Sequence, residues 1–492
     1  QRHAAPPVGH SLADCRRGYQ SLLIGTRDME IPARAAPAPD RRLSLVVAGL
    51  VWTLIMLMIV PEGFDYGMLA SGHTPESGSV LSRALWIGLL SWSALIVVWR
   101  ASITMLVLRH LNPFLIAFAV LALGSIAWSI EPMLTVRRDI RLMTILLTCV
   151  AFALAGWSPR RVQNVIRPIL TLMLAGSVIF GLVFPQLAIH QETSPELLNA
   201  WRGLTNHKNS LGALAGVTLL FWLQGWAARD VRTVRALLGC VLAALCIWLS
   251  RSATSLIATL FAAAFLGLLT QWPRSLQPYF KYAVIVVVVT VTVYALAMLR
   301  LIPGQGILLA PITALTGFDT TFTGRSEIWN ILTDHIQQNP VLGTGYGAYW
   351  SSPTPQSPSY EFVTRMNGFY PGTAHNGYLE IANDLGWIGL LCLFGYMTVQ
   401  LRQALQALVI DKPQAALYLT LFMHQTISNL SESHWLSVLS VQFVLTTLIT
   451  VALARLLLEH RFRQIGMARA RTPQQTAWAP PNVPHYTGRG QP

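Results

Sequence analysis

The stretch TAHNGYLEIANDLGWIG, residues 373–389, places a histidine and an asparagine directly before a helical pattern that becomes a long apolar run. Histidine has an unperturbed pKa of about 6.5, which suits it to accept a proton near neutral pH. A lone histidine is more often structural or solvated, so spacing alone leaves both interpretations of His375 open. For Asn376, capping the helix or supporting the histidine is a simpler interpretation than contact with a substrate.

A second stretch, TGRSEIWNILTDHIQQNP at residues 323–340, carries a cation at a predicted helix start. Its apolar residues recur at helical spacing, Thr323 is the predicted N-cap, and Arg325 falls in the first turn. Helix N-termini attract anions through unpaired N–H groups, and a neighbouring guanidinium strengthens that attraction. The alternative is that Arg325 only forms an ion pair with Glu327.

Two further stretches contain cations beside predicted spans. ELLNAWRGLTNHKNSLG, residues 196–212, holds Arg202, His207 and Lys208, and the alternative for Lys208 is that its ammonium reaches the lipid headgroups. WSIEPMLTVRRDIR, residues 128–141, holds three arginines that suit an anionic ligand or lipid, with anchoring at the membrane surface as the alternative. These three are Arg137, Arg138 and Arg141.

The composition requires a membrane environment for the helices that position these residues. Charged residues make up 11% of the 492 residues, the apolar set makes up 53%, and the mean hydropathy is +0.48. Soluble domains have roughly 25% charged residues. With about 20 apolar residues for each span, we predict an all-α polytopic membrane protein of about twelve transmembrane helices. The predicted spans are 43–60, 81–99, 111–130, 140–157, 165–188, 210–227, 233–250, 253–271, 282–303, 386–404, 414–431 and 434–455, with a start nearer residue 101 as the alternative for the third.

Lysines and arginines concentrate in the even-numbered connections and in the C-terminal tail, which predicts cytoplasmic termini by the positive-inside rule. The net charge of +14 therefore needs no nucleic-acid partner. The resulting division is a cytoplasmic tail at 1–42, nine spans within 43–303, a large external loop at 304–385, three spans within 386–455, and a cytoplasmic tail at 456–492. All the polar stretches quoted above then lie on the external side or at its edge.

Other site chemistry has little support in the sequence. The five cysteines fit neither a disulfide nor a metal pattern, and the external loops contain no Asp-x-Asp motif or carboxylate cluster. We therefore predict no metal and no cofactor. GTGYGAY, residues 343–349, lacks the Lys-Ser/Thr ending of a phosphate loop, and its glycines predict a tight turn.

The ordered set of motifs resembles a known family. His375, Asn376, Gly386 and Gly389 follow the form His-Asn, nine residues, Gly-x-x-Gly. This form resembles the O-antigen ligase and Wzy-type polysaccharide polymerase superfamily. The resemblance extends in matching order over roughly residues 45 to 455. Its other motifs are WSIEP at 128–132, RGLTNHKNSLG at 202–212, LSRSATS at 249–255, TGRSEIW at 323–329 and NPVLGTGYG at 339–347.

The resemblance implies a metal-independent, GT-C-like glycosyltransferase that takes an oligosaccharide from undecaprenyl diphosphate at the periplasmic face of the bacterial inner membrane. It also implies a functional trio, which falls on Arg202, Arg325 and His375. The histidine would activate the acceptor hydroxyl and the arginines would hold the diphosphate. Secondary candidates for substrate contact are Lys208, His207, Arg251, Asn376, Arg137 and Arg138.

The acceptor distinguishes the members of this superfamily. A polymerase adds the chain to another lipid-linked repeat unit, a ligase adds it to lipid A-core, and a protein O-oligosaccharyltransferase adds it to protein. The form of RGLTNHKNSLG favours the exopolysaccharide polymerase branch, with membrane lipids and other polysaccharide export components as further partners. A transporter such as a flippase is the alternative from another class. A transporter would have ionisable groups near the membrane midplane. The predicted spans here are nearly free of such groups away from their ends, and Arg83 and His424 are the exceptions.

Overall fold

The computed structural model describes residues 41–61, 80–156, 160–191, 197–271, 325–351 and 354–471, with isolated positions between these ranges. Within them every regular element is a helix, and the one β pairing is a bridge between Ile189 and Trp201. The predicted all-α fold is therefore confirmed. Apart from their residues at 41–42 and 456–471, the two predicted tails lie outside the described residues, as do Thr323 and residues 304–324 of the large loop.

Fifteen α-helices are present within the described residues. They are α1 (Arg41–Ile59), α2 (Val80–Trp99), α3 (Ala101–His110), α4 (Pro113–Gly124), α5 (Pro132–Leu154), α6 (Arg161–Val183), α7 (Pro185–Ala188), α8 (Lys208–Ala227), α9 (Thr233–Ser250), α10 (Ala253–Gln271), α11 (Arg325–Gln338), α12 (Tyr360–Arg365), α13 (Gly377–Ile410), α14 (Lys412–Ser428) and α15 (Val441–Arg471). A single 3₁₀ turn, Ser125–Ala127, extends α4.

Eight of the described helices are long and apolar enough to cross a membrane, or nine if a bent helix pair counts as one span. The chain is thus a polytopic membrane protein. The predicted spans at 140–157 and 414–431 are also helices, but α5 has four charged residues among its first ten and α14 has only 17 residues. The span at 282–303 lies largely outside the described residues, so the count of twelve stays a prediction.

The third predicted span is not a straight helix that begins at residue 111. Residues 101–110 form α3, which meets the α4 segment at an angle of 104°. Asn112 causes the break, because its side-chain oxygen accepts the Phe114 N–H at 3.1 Å and Pro113 follows at the first helical position. The Asn112 side chain also donates to the carbonyl of Tyr396 at 2.9 Å, which fixes the corner against α13.

The core of the bundle lies around α15, whose span is the most completely buried of the eight. It packs against α3, α5 and α13, while α8 packs against α6, α9, α10 and α14. Apolar side chains on the outer helices face away from this core at helical spacing, as a lipid-facing surface requires. On α9 these exposed residues are Val234, Leu237, Leu238, Val241, Leu245 and Trp248.

A break inside α13 joins the large loop to the bundle. Gly386 has φ +61° and ψ −157°, and a Cβ there would meet the backbone of Val341 at 2.4 Å. The amide of Trp387 donates to the Pro340 carbonyl at 2.8 Å instead of to its own helix. The loop segment at 340–347 therefore occupies the gap that the break opens.

The glycine-rich turn satisfies the other side of the same break. The amides of Thr344 and Gly345 donate to the carbonyls of Asn383 and Asp384, each at 3.0 Å. Gly343, Gly345 and Gly347 all have positive φ, so the predicted tight turn is confirmed. The turn caps the first segment of α13 rather than holding a phosphate with its amides.

The last predicted span, 434–455, begins too early. Residues 429–440 form a connection of turns, and α15 begins at Val441. The side-chain oxygen of Asn429 accepts the amides of His434 and Trp435 at 2.8 and 2.6 Å. These bonds hold the chain in a turn, although its leucine and valine content is typical of a membrane helix.

Candidate active site

A largely buried carboxylate, Glu432, lies where four separate parts of the chain meet. Its Oε1 accepts a hydrogen bond from Arg325 Nη2 at 2.9 Å and another from Asn209 Nδ2 at 2.6 Å. Its Oε2 lies 3.5 Å from Nδ1 of His375. The α14–α15 connection, the start of α8, the start of α11 and the residue before α13 therefore contribute to one cluster, which we call the Glu432 cluster.

His375 is held in a backbone conformation that few residues other than glycine adopt. Its φ is +46°, in the left-handed region. On one side the Ala374 carbonyl accepts the Trp329 indole N–H at 2.9 Å, and on the other Asn376 caps α13 by accepting the amides of Tyr378 and Leu379. Non-glycine residues with positive φ persist where neighbouring contacts enforce them, often at functional sites. The capping interpretation of Asn376 is confirmed.

A second buried carboxylate, Glu380, ties the histidine segment to the Glu432 segment. Its Oε2 accepts the Ala374 amide at 2.7 Å and the Ser433 hydroxyl at 2.9 Å. The Asn376 amide donates to the same Ser433 oxygen at 3.3 Å. The bonds of Glu380 thus fix the residues next to His375 and next to Glu432, while Glu380 itself contacts neither side chain.

The charges of the cluster are set by its own partners. Burial raises the pKa of Glu432, but the nearby His375 and Arg325 lower it further and leave it at about 2, so the group is a carboxylate at neutral pH. Burial lowers the pKa of His207 to about 3 and that of His434 to about 4. Both of these imidazoles are therefore neutral at pH 7.

This arrangement selects one tautomer of His375. A carboxylate opposite Nδ1 favours a proton on that nitrogen, which leaves the lone pair of Nε2 available to accept another. The imidazole side chain is 23% exposed, so it is accessible from the surface. Glu432 is a positioning residue in this arrangement, and His375 is the group that could act on a substrate proton.

Arg325 pairs with Glu432 and not with Glu327, the partner considered from the sequence. Helix α11 begins at Arg325, so its side chain is at the predicted helix start. A guanidinium has five N–H donors, and the contact with Glu432 uses one of its nitrogens. The side chain is 16% exposed and is held at the edge of the cluster.

Arg202 and His207 lie in the connection between α7 and α8, and Lys208 is the first residue of α8. The Arg202 side chain is almost completely buried, and its Nε donates to the Leu187 carbonyl at 2.9 Å. His207 caps α8 through its ring, since its Nδ1 accepts the Asn209 amide at 3.3 Å. Glu432 and His375 are near enough to influence the pKa of His207. Because that imidazole is neutral, it does not contribute a positive charge.

The remaining predicted contacts occupy other surroundings. Arg138 packs over Gly347, and its charge acts on the carboxyl groups of Glu380 and Asp384. Arg137 is exposed on α5. Arg251 has φ +50° and donates to the Leu198 carbonyl at 3.1 Å, in the connection that also carries Arg202.

Two comparisons bear on the identity of this site. A family model described as O-Antigen ligase matches residues 238–394. The chain is also 27% identical over 293 residues to the exopolysaccharide production protein ExoQ of Rhizobium meliloti (strain 1021), a match that covers 57% of this chain and 62% of that relative. Both matches are to proteins of the O-antigen ligase and polysaccharide polymerase kind, and the chain spans less than two thirds of the length of the relative. The resemblance found in the sequence is therefore confirmed.

The O-antigen ligase match includes Arg251, Arg325 and His375 but ends before Glu432. Glu432 and Asn209 are the two cluster residues that the sequence did not reveal. The available signal was SNLSESHW, residues 428–435, which carries one acidic residue in a predicted external connection between two spans. Among the described residues no group of three His, Cys, Asp or Glu side chains is placed to hold a metal ion, and metal independence stays a prediction.

Proposed function

We propose that this chain is a membrane glycosyltransferase that moves oligosaccharide units from undecaprenyl diphosphate to an acceptor hydroxyl, most simply as an exopolysaccharide polymerase at the periplasmic face. The observation that supports this best is the Glu432 cluster, where a histidine, a guanidinium and a carboxylate from distant connections meet at one end of the bundle. The two matches to known proteins support the same class of reaction.

In the proposed reaction His375 acts as general base. Nε2 accepts the proton of the acceptor hydroxyl while that oxygen forms a bond to the anomeric carbon of the donor sugar. The bond from this carbon to the diphosphate oxygen breaks, and the lipid diphosphate leaves with the electron pair. Proton transfer by a positioned base contributes about 10²- to 10⁴-fold to a rate.

The cationic groups hold the donor in this proposal. Arg325 and Arg202 neutralise the diphosphate, whose negative charge increases as the bond to sugar breaks. The fixed contact between Arg325 and Glu432 keeps the guanidinium in place before substrate binds, at 2.9 Å from the carboxylate. A diphosphate is already a stabilised leaving group, so the proposed reaction has no general acid. Lys208 and Arg138 are secondary candidates for contact with the anionic donor.

The choice between polymerase and ligase depends on the acceptor, and each has one observation in its favour. The relative that covers more than half of this chain is described by exopolysaccharide production, which favours a polymerase. The family model that matches residues 238–394 is described as O-antigen ligase, which favours lipid A-core as acceptor. The cluster serves both reactions, because the acceptor provides only a hydroxyl.

The transporter alternative fits the observations less well. Transporters place ionisable groups near the membrane midplane, at broken helices that move. His424, an ionisable residue within a span, packs in the interior with its Nε2 3.5 Å from the Thr259 hydroxyl, beside Gly216. The Glu432 cluster instead lies at one end of α8, α13 and α14, which suits chemistry at one membrane face.

The test is gel analysis of surface glycans from cells that carry His375→Ala as their only enzyme of this class, with protein level measured. Loss of long exopolysaccharide with unchanged lipopolysaccharide supports a polymerase, and loss of lipid A-linked glycan alone supports a ligase. His460→Ala is the matched control, because His460 is near the C-terminal end of α15 and outside the cluster. Wild-type levels of both glycans in His375→Ala would refute the catalytic role of His375.

A further inference from the structure

A polar cavity of about 400 Å³ lies at the end of the bundle opposite to the Glu432 cluster. It is enclosed where α6 and α14 begin and where α8 and α13 end. The Glu432 cluster lies at the other ends of α8, α13 and α14, and the 20 residues of α8 alone correspond to about 30 Å. The main lining side chains are those of Arg160, Gln163, Gln224, Asp230, Asp411 and Gln414.

Three glutamines that line this cavity have side-chain amide oxygens without a hydrogen-bond partner among the described residues. They are the Oε1 atoms of Gln163, Gln224 and Gln414, whose residues are each at most 2% exposed. The amide of Gln224 is oriented by its Nε2, which donates to the Pro413 carbonyl at 3.0 Å, so its oxygen is the atom left over. A buried acceptor without a partner costs about 1–3 kcal/mol, which a bound donor would remove.

The same end of α6 carries unused donors. Arg167 lies one turn after Gln163 and is 7% exposed, and its Nε and Nη2 atoms have no hydrogen-bond partner. Its guanidinium lies over the ring of Trp222 at 5.4 Å and beside Gly225. Asp230 feels the charges of both Arg167 and Arg160, which shows that these groups are close together.

The cavity therefore combines buried acceptors without donors, one cation (Arg160) and two carboxylates (Asp230 and Asp411). Arg160 forms an ion pair with Asp230 at 2.7 Å, and its side chain is 57% exposed, so the cavity reaches the surface. Asp411 adds a second carboxylate and uses Oδ1 to cap α14. A ligand that matches this set has an ammonium group with several N–H donors and a phosphate nearby.

We propose that this cavity binds the headgroup of a zwitterionic phospholipid that carries a primary ammonium, namely phosphoethanolamine. The ammonium donates to the glutamine oxygens and to Asp411, and the phosphate accepts from Arg160, the arginine that lines the cavity. A volume of about 400 Å³ is in the range of small-ligand sites, roughly 300–1,000 Å³. This site is separate from the proposed reaction and does not depend on it.

The test compares three phospholipids that have the same acyl chains. The purified, delipidated full-length protein is mixed with phosphatidylethanolamine, phosphatidylcholine or phosphatidylglycerol, and bound lipid is counted by native mass spectrometry. Phosphatidylcholine has no N–H donor on its ammonium group, and phosphatidylglycerol has no ammonium group. We expect at least about tenfold stronger retention of phosphatidylethanolamine than of either, which corresponds to about 1.4 kcal/mol.

Variants locate the bound lipid. Gln224→Met keeps the side-chain length and removes the amide, so it should abolish the preference for phosphatidylethanolamine. Arg365→Ala, in α12 of the large loop, should leave the preference unchanged. A thermal unfolding scan with each added lipid gives a readout that needs no variant, since only phosphatidylethanolamine should raise the unfolding temperature of the wild type.

Two outcomes would overturn the proposal. Equal retention of all three lipids would indicate a surface that contacts lipid without recognising the headgroup. No retained lipid, or a preference that persists in a folded Gln224→Met variant, would indicate that the cavity contains only water. His375→Ala should retain the preference, which keeps a failure of this site distinguishable from a failure of the proposed reaction.

Discussion

Buried ionisable side chains gather at both ends of the helical bundle, but the protein uses their hydrogen-bonding capacity differently at the two ends. At the start of α8, Glu432 is within reach of Arg325, Asn209 and His375. At the end of α8, the buried guanidinium of Arg167 has two nitrogens without partners, and three glutamine oxygens nearby have none. Among the described residues the Glu432 carboxylate thus has two hydrogen-bond donors, although His375 Nδ1 has no hydrogen-bond partner, whereas five buried polar atoms at the opposite end have none.

The difference relates to the task proposed for each end. Groups that are held by partners before substrate arrives need little reorganisation during a reaction, which is the basis of electrostatic catalysis. Unpartnered buried groups instead favour binding, because a ligand that satisfies them removes their desolvation cost. We therefore expect substitutions in the Glu432 cluster to reduce the rate of reaction, and substitutions in the opposite cavity to change binding while leaving the rate intact.

The largest effect among the residues around His375 should come from Glu432→Gln. The amide keeps the shape but removes the charge that favours a proton on His375 Nδ1, so we expect a loss of turnover of about 10²-fold, within the range for a general base. The measurement is polymer formation from purified lipid-linked donor. Glu361→Gln is the matched control, because Glu361 also pairs with an arginine but lies in α12.

Glu432→Gln also distinguishes a positioning role of Glu432 in the reaction from a purely structural role. A purely structural role would lower the unfolding temperature without changing the pH dependence of turnover in the folded enzyme. The proposed role predicts a changed acid limb of the pH profile, since the tautomer and proton affinity of His375 then lack their carboxylate partner. An unchanged profile together with wild-type turnover would remove Glu432 from the proposed reaction.

The next effect should come from Arg325→Ala, with Arg365→Ala as the control from the same loop. We expect weaker donor binding and about tenfold or greater loss of turnover. Glu432 has a pKa below its ordinary value, so its stabilising contribution is present above pH 4.5 and is lost as the pH falls towards 2. Without Arg325 that pKa rises, and unfolding temperatures measured from pH 7 to pH 3 should fall earlier than in the wild type.

A smaller effect is expected for Glu380, which braces the two segments without contacting the reacting groups. Glu380→Gln retains an oxygen that can accept the Ala374 amide at the present 2.7 Å, and it should keep most activity. Glu380→Ala leaves that amide and the Ser433 hydroxyl without their acceptor and should lower turnover by about tenfold through misplacement of His375. Equal turnover in Glu380→Ala and the wild type would contradict the bracing role.

The smallest effect belongs to the opposite end. Arg160→Ala removes a contact with Asp230 in which the arginine is 57% exposed, and pairs of this kind contribute about 0–1 kcal/mol. We expect unchanged turnover and an unfolding temperature within a few degrees of the wild type. A loss of turnover comparable to that of Arg325→Ala would show that the two ends are coupled and that the opposite cavity also affects the reaction.

Much of the helical architecture could be predicted from the sequence. The spans at 233–250 and 253–271 have the boundaries that the hydrophobic pattern predicted. The predicted helix boundaries are wrong where a side chain forms hydrogen bonds with backbone groups. Asn112 breaks a continuous apolar segment, and Asn429 holds residues 434–435 in a turn although the sequence is apolar enough for a helix. Periodicity does not reveal either bond.

Only part of the candidate site could be predicted, because its contacts also join residues that are far apart in the sequence. His375 and Arg325 were identified by residue type and by family resemblance, and their roles stay predictions. Glu432 was overlooked because the predicted spans ended at 431 and resumed at 434, which left almost no connection. Its importance depends on a contact with Arg325, 107 residues away in the chain. A single sequence, read without an alignment, contains no direct record of such a pairing.

The break at Gly386 has a consequence for the biogenesis of the protein. The Asn383 carbonyl that binds Thr344 belongs to a residue made 39 positions later in synthesis. The loop segment at 340–347 therefore cannot complete its fold when it leaves the ribosome, and it waits for the first segment of α13. If α13 fails to insert, this loop stays accessible to proteases. Assembly of the site therefore depends on membrane insertion of α13, because the same few hydrogen bonds require both segments.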